Sequence, residues 1–216
     1  MVLIDSVYIN DGGGLVLLNF IIEKIEEAGL DVFYLIDERA QSNFTWLKDS
    51  QSEFIANSIL ERKLFYKKNM NKFSKIFCFG NIPPPIKLNV PVYVYFHQPL
   101  FLKIPSEFSL KNKIIYKVNQ IVLSYYKKNA DIWLTQSRLI QSSFTKKYLK
   151  NDPSSVKILP FYPPLNFDER AIKRQSDSFL YVSNTAPHKN HEKLIAAFCN
   201  AFDKTQTGVL TVTVPK

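Results

Sequence analysis

Residues 2–36 set out a strand, a glycine loop, a helix and a second strand, and that order constrains the fold more than any other feature. Val2 to Ile9 is rich in β-branched and aromatic residues and predicts a strand. Asp11-Gly12-Gly13-Gly14 follows as a turn. Leu15 to Ala28 has helical spacing, with Leu18, Ile21, Ile22 and Ile25 on one face, and Gly29 fits a C-terminal helix cap. Val32 to Ile36 reads as a buried strand ending in Asp37-Glu38. This is a βαβ unit, and such units build parallel sheets.

The alternation continues. Phe54 to Ala56 is a short strand. Ser58 and Glu61 form a capping box that opens a helix to about Asn69. Ile76 to Phe79 is the next strand, and Gly80-Asn81-Ile82-Pro83-Pro84-Pro85 ends it, because proline blocks regular pairing. Val92 to Phe96 is a strand ending at His97. A long helix spans Leu110 to Lys128. Ile132 to Thr135 is a strand, Ser137 caps a helix to about Tyr148, and Val156 to Leu159 completes a first domain over residues 1–160. Pro160-Phe161-Tyr162-Pro163-Pro164 is stiff and extended, and residues 161–177 form a linker. Phe179 to Ser183, a helix from His191 to Phe202, and Val209 to Val214 then begin a second βαβ unit within residues 178–216. The expected fold is α/β: a Rossmann-like parallel sheet with helices on both faces, plus an incomplete second Rossmann-like domain.

Composition narrows the class. The 46% apolar and 22% charged content are those of an ordinary globular protein. The 216 residues allow one large domain, or one domain and a fragment. Cys78 and Cys199 lie far apart, which points to a reducing compartment and argues against metal binding by cysteine. The apolar run after Met1 has no basic region ahead of it, so a signal peptide is not expected. No stretch has the length of a membrane span. Charge is uneven: residues 1–60 carry a net −7, residues 61–130 a net +11 and residues 131–216 a net +5. The basic middle third implies an anionic partner, a membrane surface or nucleic acid, or simply a solvated basic face.

Three places could carry chemistry. Three glycines at a strand-to-helix turn bring backbone amides close to a ligand at the positive end of a helix. The run lacks G-x-G-x-x-G spacing and a P-loop lysine, and Asp11 would repel a phosphate; a tight turn needing positive φ explains it equally. His97 lies beyond a strand end, where open parallel sheets bind ligands. It could donate to a sugar hydroxyl or titrate near neutral pH, or it could be structural, bonded to a loop carbonyl. Lys189 lies between a strand end and a helix capped by Asn190, where an ammonium and free amides could clamp a diphosphate; a plain surface lysine is the other reading. His188 and His191 flank it, but further zinc ligands are not identifiable, so no metal is expected. There is no G-x-S-x-G elbow and no convincing acid–base pair.

Taken together, Gly12-Gly13-Gly14, His97, Tyr162-Pro163-Pro164 and Tyr181-Val182-Ser183-Asn184 with Lys189 resemble, in their order, the family-four (group 1) type of GT-B glycosyltransferase over nearly the whole chain. The resemblance implies transfer of a sugar from a nucleotide-sugar, with retained configuration and no metal or cofactor, to a glycan or lipid-linked acceptor in surface polysaccharide synthesis. Catalysis of this kind is positioning plus electrostatic stabilisation of the leaving diphosphate. It implies His97 as the catalytic-centre sugar contact, and Gly13, Gly14, Asn184, His188 and Lys189 as donor-binding residues. Asn184 stands where the family usually has arginine, and His188 could replace that cation. Glu53 and Glu61 match the family's E-x7-E spacing by chance, since they lie in the first half. The resemblance also implies that the chain is C-terminally truncated or split, inactive alone, with a separate C-terminal half as a possible partner. Lys111, Lys113, Lys117, Lys127 and Lys128 are the candidate membrane-facing or acceptor-facing residues. The expected location is the cytoplasm, peripheral on the inner face of the cytoplasmic membrane. A non-catalytic module binding a glycan or lipid-linked sugar, or an inactive remnant, is the alternative; a nucleic-acid partner is not expected, for want of a recognised motif.

Overall fold

The computed structural model describes residues 1–164, 176–183 and 189–213. The chain divides into two compact units, Met1–Ile104 with Ile114–Pro163, and Pro105–Lys113 with Pro164–Lys216. The elements run β1 (Val2–Ser6), α1 (Gly12–Glu27), β2 (Val32–Asp37), β3 (Ser52–Ile55), α2 (Ile59–Asn69), β4 (Lys75–Cys78), β5 (Val92–Phe96), α3 (Leu110–Tyr126), β6 (Ile132–Thr135), α4 (Arg138–Tyr148) and β7 (Val156–Ile158). They continue with β8 (Ser178–Tyr181), α5 (His191–Thr205) and β9 (Val209–Val212).

In the first unit, seven parallel strands lie in the order β3-β2-β1-β4-β5-β6-β7. Alternation along β1 explains why both faces are covered. Leu3 joins Phe65 and Tyr66 of α2, Leu123 of α3, and Phe144 and Tyr148 of α4 in one core. Ile4 points the other way, to Leu18 and Ile22 of α1. Helices on both faces are what a parallel sheet requires. The order reverses between β1 and β4, so the loops after these two strands diverge and leave a crevice at their carboxyl ends.

Several local expectations are corrected. β1 ends at Ser6 rather than Ile9, because Tyr8 takes a left-handed conformation (φ 87°). The glycines are the first turn of α1 rather than a separate turn, and only Gly12 has a positive φ, 59°. The Ser58 hydroxyl accepts from the Leu60 and Glu61 amides. The Ser58 amide donates to the Ala56 carbonyl, so the reciprocal half of the capping box is not made. The long helix ends at Tyr126, and a 3-10 turn covers Lys127–Asn129. Two more such turns, Glu38–Asn43 and Pro99–Phe101, carry no periodicity that sequence reading detects. Gly29 (φ 61°) does end α1: its amide bonds the Glu26 carbonyl and that of Leu30 bonds Ile25, satisfying two carbonyls of the last turn.

A buried ion pair ties the two sides of the crevice together. Arg62 of α2 and Asp5 of β1 are both fully buried, with Nε and Nη2 at 2.8 and 2.7 Å from Asp5 Oδ2. The Tyr66 hydroxyl donates to the same oxygen at 2.6 Å. Arg62 also donates to the carbonyls of Ile82 and Pro83, and Asn129 to that of Pro84. The proline segment after β4 is thus held by side chains, since proline offers no amides of its own. Burial, and then the Asp5 charge, push the Cys78 thiol up to about 12, so it is an inert core thiol.

In the second unit, β8 and β9 pair in parallel. Phe179 and Phe198 pack with ring centroids 6.2 Å apart, yet α5 has no buried residue. Leu180, Val182 and Val209 are 68%, 71% and 62% exposed. Asn190 does not cap α5 as expected: it is left-handed and its side chain makes no cap hydrogen bond. Residues 165–175 of the expected linker, and Asn184 and His188, lie outside the described residues.

Candidate functional site

The reversal of strand order between β1 and β4 puts the loops after β1 and β4 and the end of β5 where open parallel sheets bind ligands. The loops after β1 and β4 approach each other closely. A Cβ on Gly80 would lie 2.1 Å from the Val7 carbonyl oxygen, so no other residue fits there without moving the backbone. Tyr8 is held in its left-handed conformation from two sides. Its amide donates to Asp37 Oδ2 at 3.1 Å, and the Arg62 guanidinium lies 5.3 Å from its ring centroid. A bulky residue in this region is strained, at a cost of about 1–3 kcal/mol. The Tyr8 hydroxyl is buried, and Arg62 is the charged group beside it.

The glycine turn and His97 converge here. A Cβ on Gly14 would meet His97 Cε1 and Ile9 Cγ2, each at 3.4 Å, whereas one on Gly13 would meet nothing within 4 Å. Neither Gly13 nor Gly14 has a positive φ, so the backbone does not require glycine at either place. Glycine in a helix interior costs about 1 kcal/mol per residue relative to alanine; a side chain at Gly13 would enter open space, whereas Gly14 lies against His97 and Ile9. The Asp11 side chain makes no cap hydrogen bond, which leaves that end uncapped among the described residues.

His97 is fixed by the loop after β4. Its amide donates to Asn81 Oδ1 at 2.7 Å, and its Nε2 lies 3.0 Å from the Phe79 carbonyl. Its ring stacks on Phe79, with centroids 4.9 Å apart, and Phe79 stacks on Tyr95 in turn. Phe161 closes over Tyr95 at 4.9 Å. A carbonyl only accepts, so Nε2 carries the proton and Nδ1 keeps its lone pair. Burial pulls the pKa below the ordinary histidine value against the opposing pull of the Phe79 bond. The ring is therefore neutral at pH 7. The Nε2 contact is the loop-carbonyl bond of the structural reading, and it occupies the ring's donor, so only Nδ1 remains, as an acceptor.

Asn81, Asp37 and Arg39, which sequence reading did not single out, hold the residues around this place. Asn81 has φ 67° and lies within a proline-rich run that reads as a strand terminator. Asp37 is buried and chelated by Arg39, with Nε–Oδ1 at 2.8 Å and Nη2–Oδ2 at 2.7 Å. Burial raises the Asp37 carboxyl, but the Arg39 and Tyr8 bonds outweigh it and hold the group below its usual range. An acid ending a strand next to the glycine loop was the available signal.

Lys189 belongs to the second unit. It is exposed and follows β8 at the start of α5, where its carbonyl accepts from the Tyr181 hydroxyl at 2.7 Å. Among the five lysines of the middle third, Lys111, Lys117 and Lys128 are exposed and Lys113 is half-buried. Lys127 instead turns inward to the Tyr148 carbonyl at 2.6 Å, which removes it from the outward-facing set. No helix among the described residues is long and apolar enough to cross a membrane.

No protein-family model matches the chain, and no curated protein matches it in sequence. Solved structures do match. The apo form of the lipopolysaccharide outer core galactosyltransferase WaaB matches with a TM-score of 0.56 and 13% identity, over 99% of this chain and 59% of that one. An alpha-glucosyltransferase in complex with UDP-glucose and DNA containing an abasic site matches with a TM-score of 0.52 and 12% identity, over 100% and 57%. The fold is that of the GT-B glycosyltransferases. At these identities the likeness is one of fold, and the chain spans less than two thirds of the length of either structure.

Proposed function

We propose that this chain is the acceptor-side part of a retaining glycosyltransferase that takes a sugar from a nucleotide-sugar donor. The observation that carries the reading is the meeting of a glycine-opened helix with a neutral histidine at the reversal point of the sheet, with Gly14 against His97. In this reading the open N-terminus of α1 faces negative charge on the donor diphosphate. His97 Nδ1 accepts a hydrogen bond from a hydroxyl of the transferred sugar and orients it. Gly13 and Gly14 leave room for the sugar ring. Lys189, with Asn184 and His188, belongs to the diphosphate grip of the second unit. The acceptor is a glycan or a lipid-linked sugar, presented at the cytoplasmic face of a membrane. No cofactor is needed, since the nucleotide-sugar is itself the substrate.

We further propose that the second unit is completed by another segment or a separate chain, and that residues 1–216 alone do not turn over donor. An apolar strand face over half exposed and a helix with no buried residue support this, because a two-stranded sheet is marginal in water. The test is saturation-transfer NMR on the chain with UDP-glucose and other nucleotide-sugars as probes. Signal on the sugar protons that disappears in His97→Ala is the expected result. No signal from any probe, or the same signal in His97→Ala, would overturn the assignment of the site. Donor hydrolysis or transfer by the purified chain would refute inactivity alone.

A further inference from the structure

We propose that the outward face of α3 docks on an anionic lipid bilayer. Ile114, Val118, Ile121 and Tyr125 would be seated at the acyl-chain boundary and the flanking lysines among the headgroups. These four residues recur at intervals of four, three and four, which places them in one row along the helix. They are 55%, 51%, 59% and 68% exposed. The opposite side of α3 buries Gln120 and Leu123 in the first unit. A helix packed on a core normally turns its polar side outward; α3 turns out an apolar row. Rows of this kind, rimmed by charge, mark interaction surfaces.

Charge decides the occupant. Lys111 and Lys117 border the row on its two sides, and Lys128 lies beside its end with Nζ 6.0 Å from the Tyr125 ring centroid. No acidic residue occurs between residues 108 and 130. A second copy of the chain on this face would bring lysine against lysine, which costs affinity. Anionic headgroups complement the rim, while the lysine stems lie along the apolar row with their ammonium groups in the headgroup layer. The inference rests on the sugar-transfer reading only for what the membrane would present; the helix face carries the docking.

The test is flotation of the full chain with vesicles of phosphatidylcholine alone, and of phosphatidylcholine mixed equally with phosphatidylglycerol. Binding is expected to the mixed vesicles and to weaken with salt. Replacing Lys111, Lys117 and Lys128 by glutamine lowers partitioning roughly fivefold per lysine. Val118→Glu with Ile121→Glu abolishes it, while the thermal melt stays that of the wild type. Three results would overturn the proposal: equal binding to neutral vesicles, full binding retained by the Val118/Ile121 variant, or a concentration-dependent dimer that this variant dissociates without any vesicle binding. UDP-glucose contacts are measured on the same variants. Their absence with vesicle binding intact sinks the transfer reading and leaves the docking, and the reverse sinks the docking alone.

Discussion

His97 shows how a single residue's chemistry is set by its neighbours. The Phe79 carbonyl fixes the tautomer, the Asn81 amide oxygen fixes the backbone, and burial keeps the ring neutral. The folded pKa is depressed relative to about 6.5 in the unfolded chain, so the unfolded state binds the proton more readily. Stability from this group is full above the unfolded pKa and declines as pH falls from there toward the folded value. Urea melts should lose midpoint between pH 7 and pH 5, and His97→Gln should flatten that dependence. An unchanged slope in the variant would assign the pH effect to other groups. Gly13 makes the opposite kind of test, because its side-chain position is open. Gly13→Leu should leave stability unchanged or raise it by up to about 1 kcal/mol. The same substitution should remove the nucleotide-sugar signal, since it fills the space before α1.

Between elements, the Asp5–Arg62 pair links β1, α2 and the proline segment after β4. Arg62→Met leaves a carboxylate in the core without its cation, and the expected loss is about 3–5 kcal/mol in equilibrium unfolding. Adding Asp5→Leu should recover part of this. The remainder stays lost, because the Ile82 and Pro83 carbonyls no longer have a donor. A double variant no more stable than Arg62→Met would mean that the pair contributes through packing rather than charge. The same segment carries Asn81, so Arg62→Met should also broaden or shift the His97 ring resonances. Here the cost of burying a charge is joined to the placing of the loop that holds His97.

For the whole molecule, the two units differ in what they bury. The first encloses two cores, one on each face of a seven-stranded sheet. Among its described residues, the second has the strand pair β8–β9 and the helix α5, which has no buried residue. Hydrogen exchange should find β1, β4 and β5 the slowest amides and α5 with β8 and β9 faster by orders of magnitude. Equal protection in both units would show that the second is closed by contacts other than those within it.

The sequence by itself determined the class of fold. Apolar runs of strand length alternate with helical periodicity, and that alternation leaves a parallel sheet covered on both faces as the way to bury both patterns. It also marked Gly12, Gly13, Gly14 and His97, because glycine loops and polar residues after strands stand out against apolar neighbours. It could not give Asn81, Asp37 or the inward-turned Lys127 their contacts, since each finds a partner distant in the chain: the His97 amide, the Tyr8 amide, the Tyr148 carbonyl. Periodicity reports which face of an element is apolar, not which element lies beside it. Strand order placed Gly14 against His97, and the packing of α3 left Val118 and Ile121 facing outward. Those outcomes belong to the tertiary structure, because they are set by contacts made across the sheet and not along the chain.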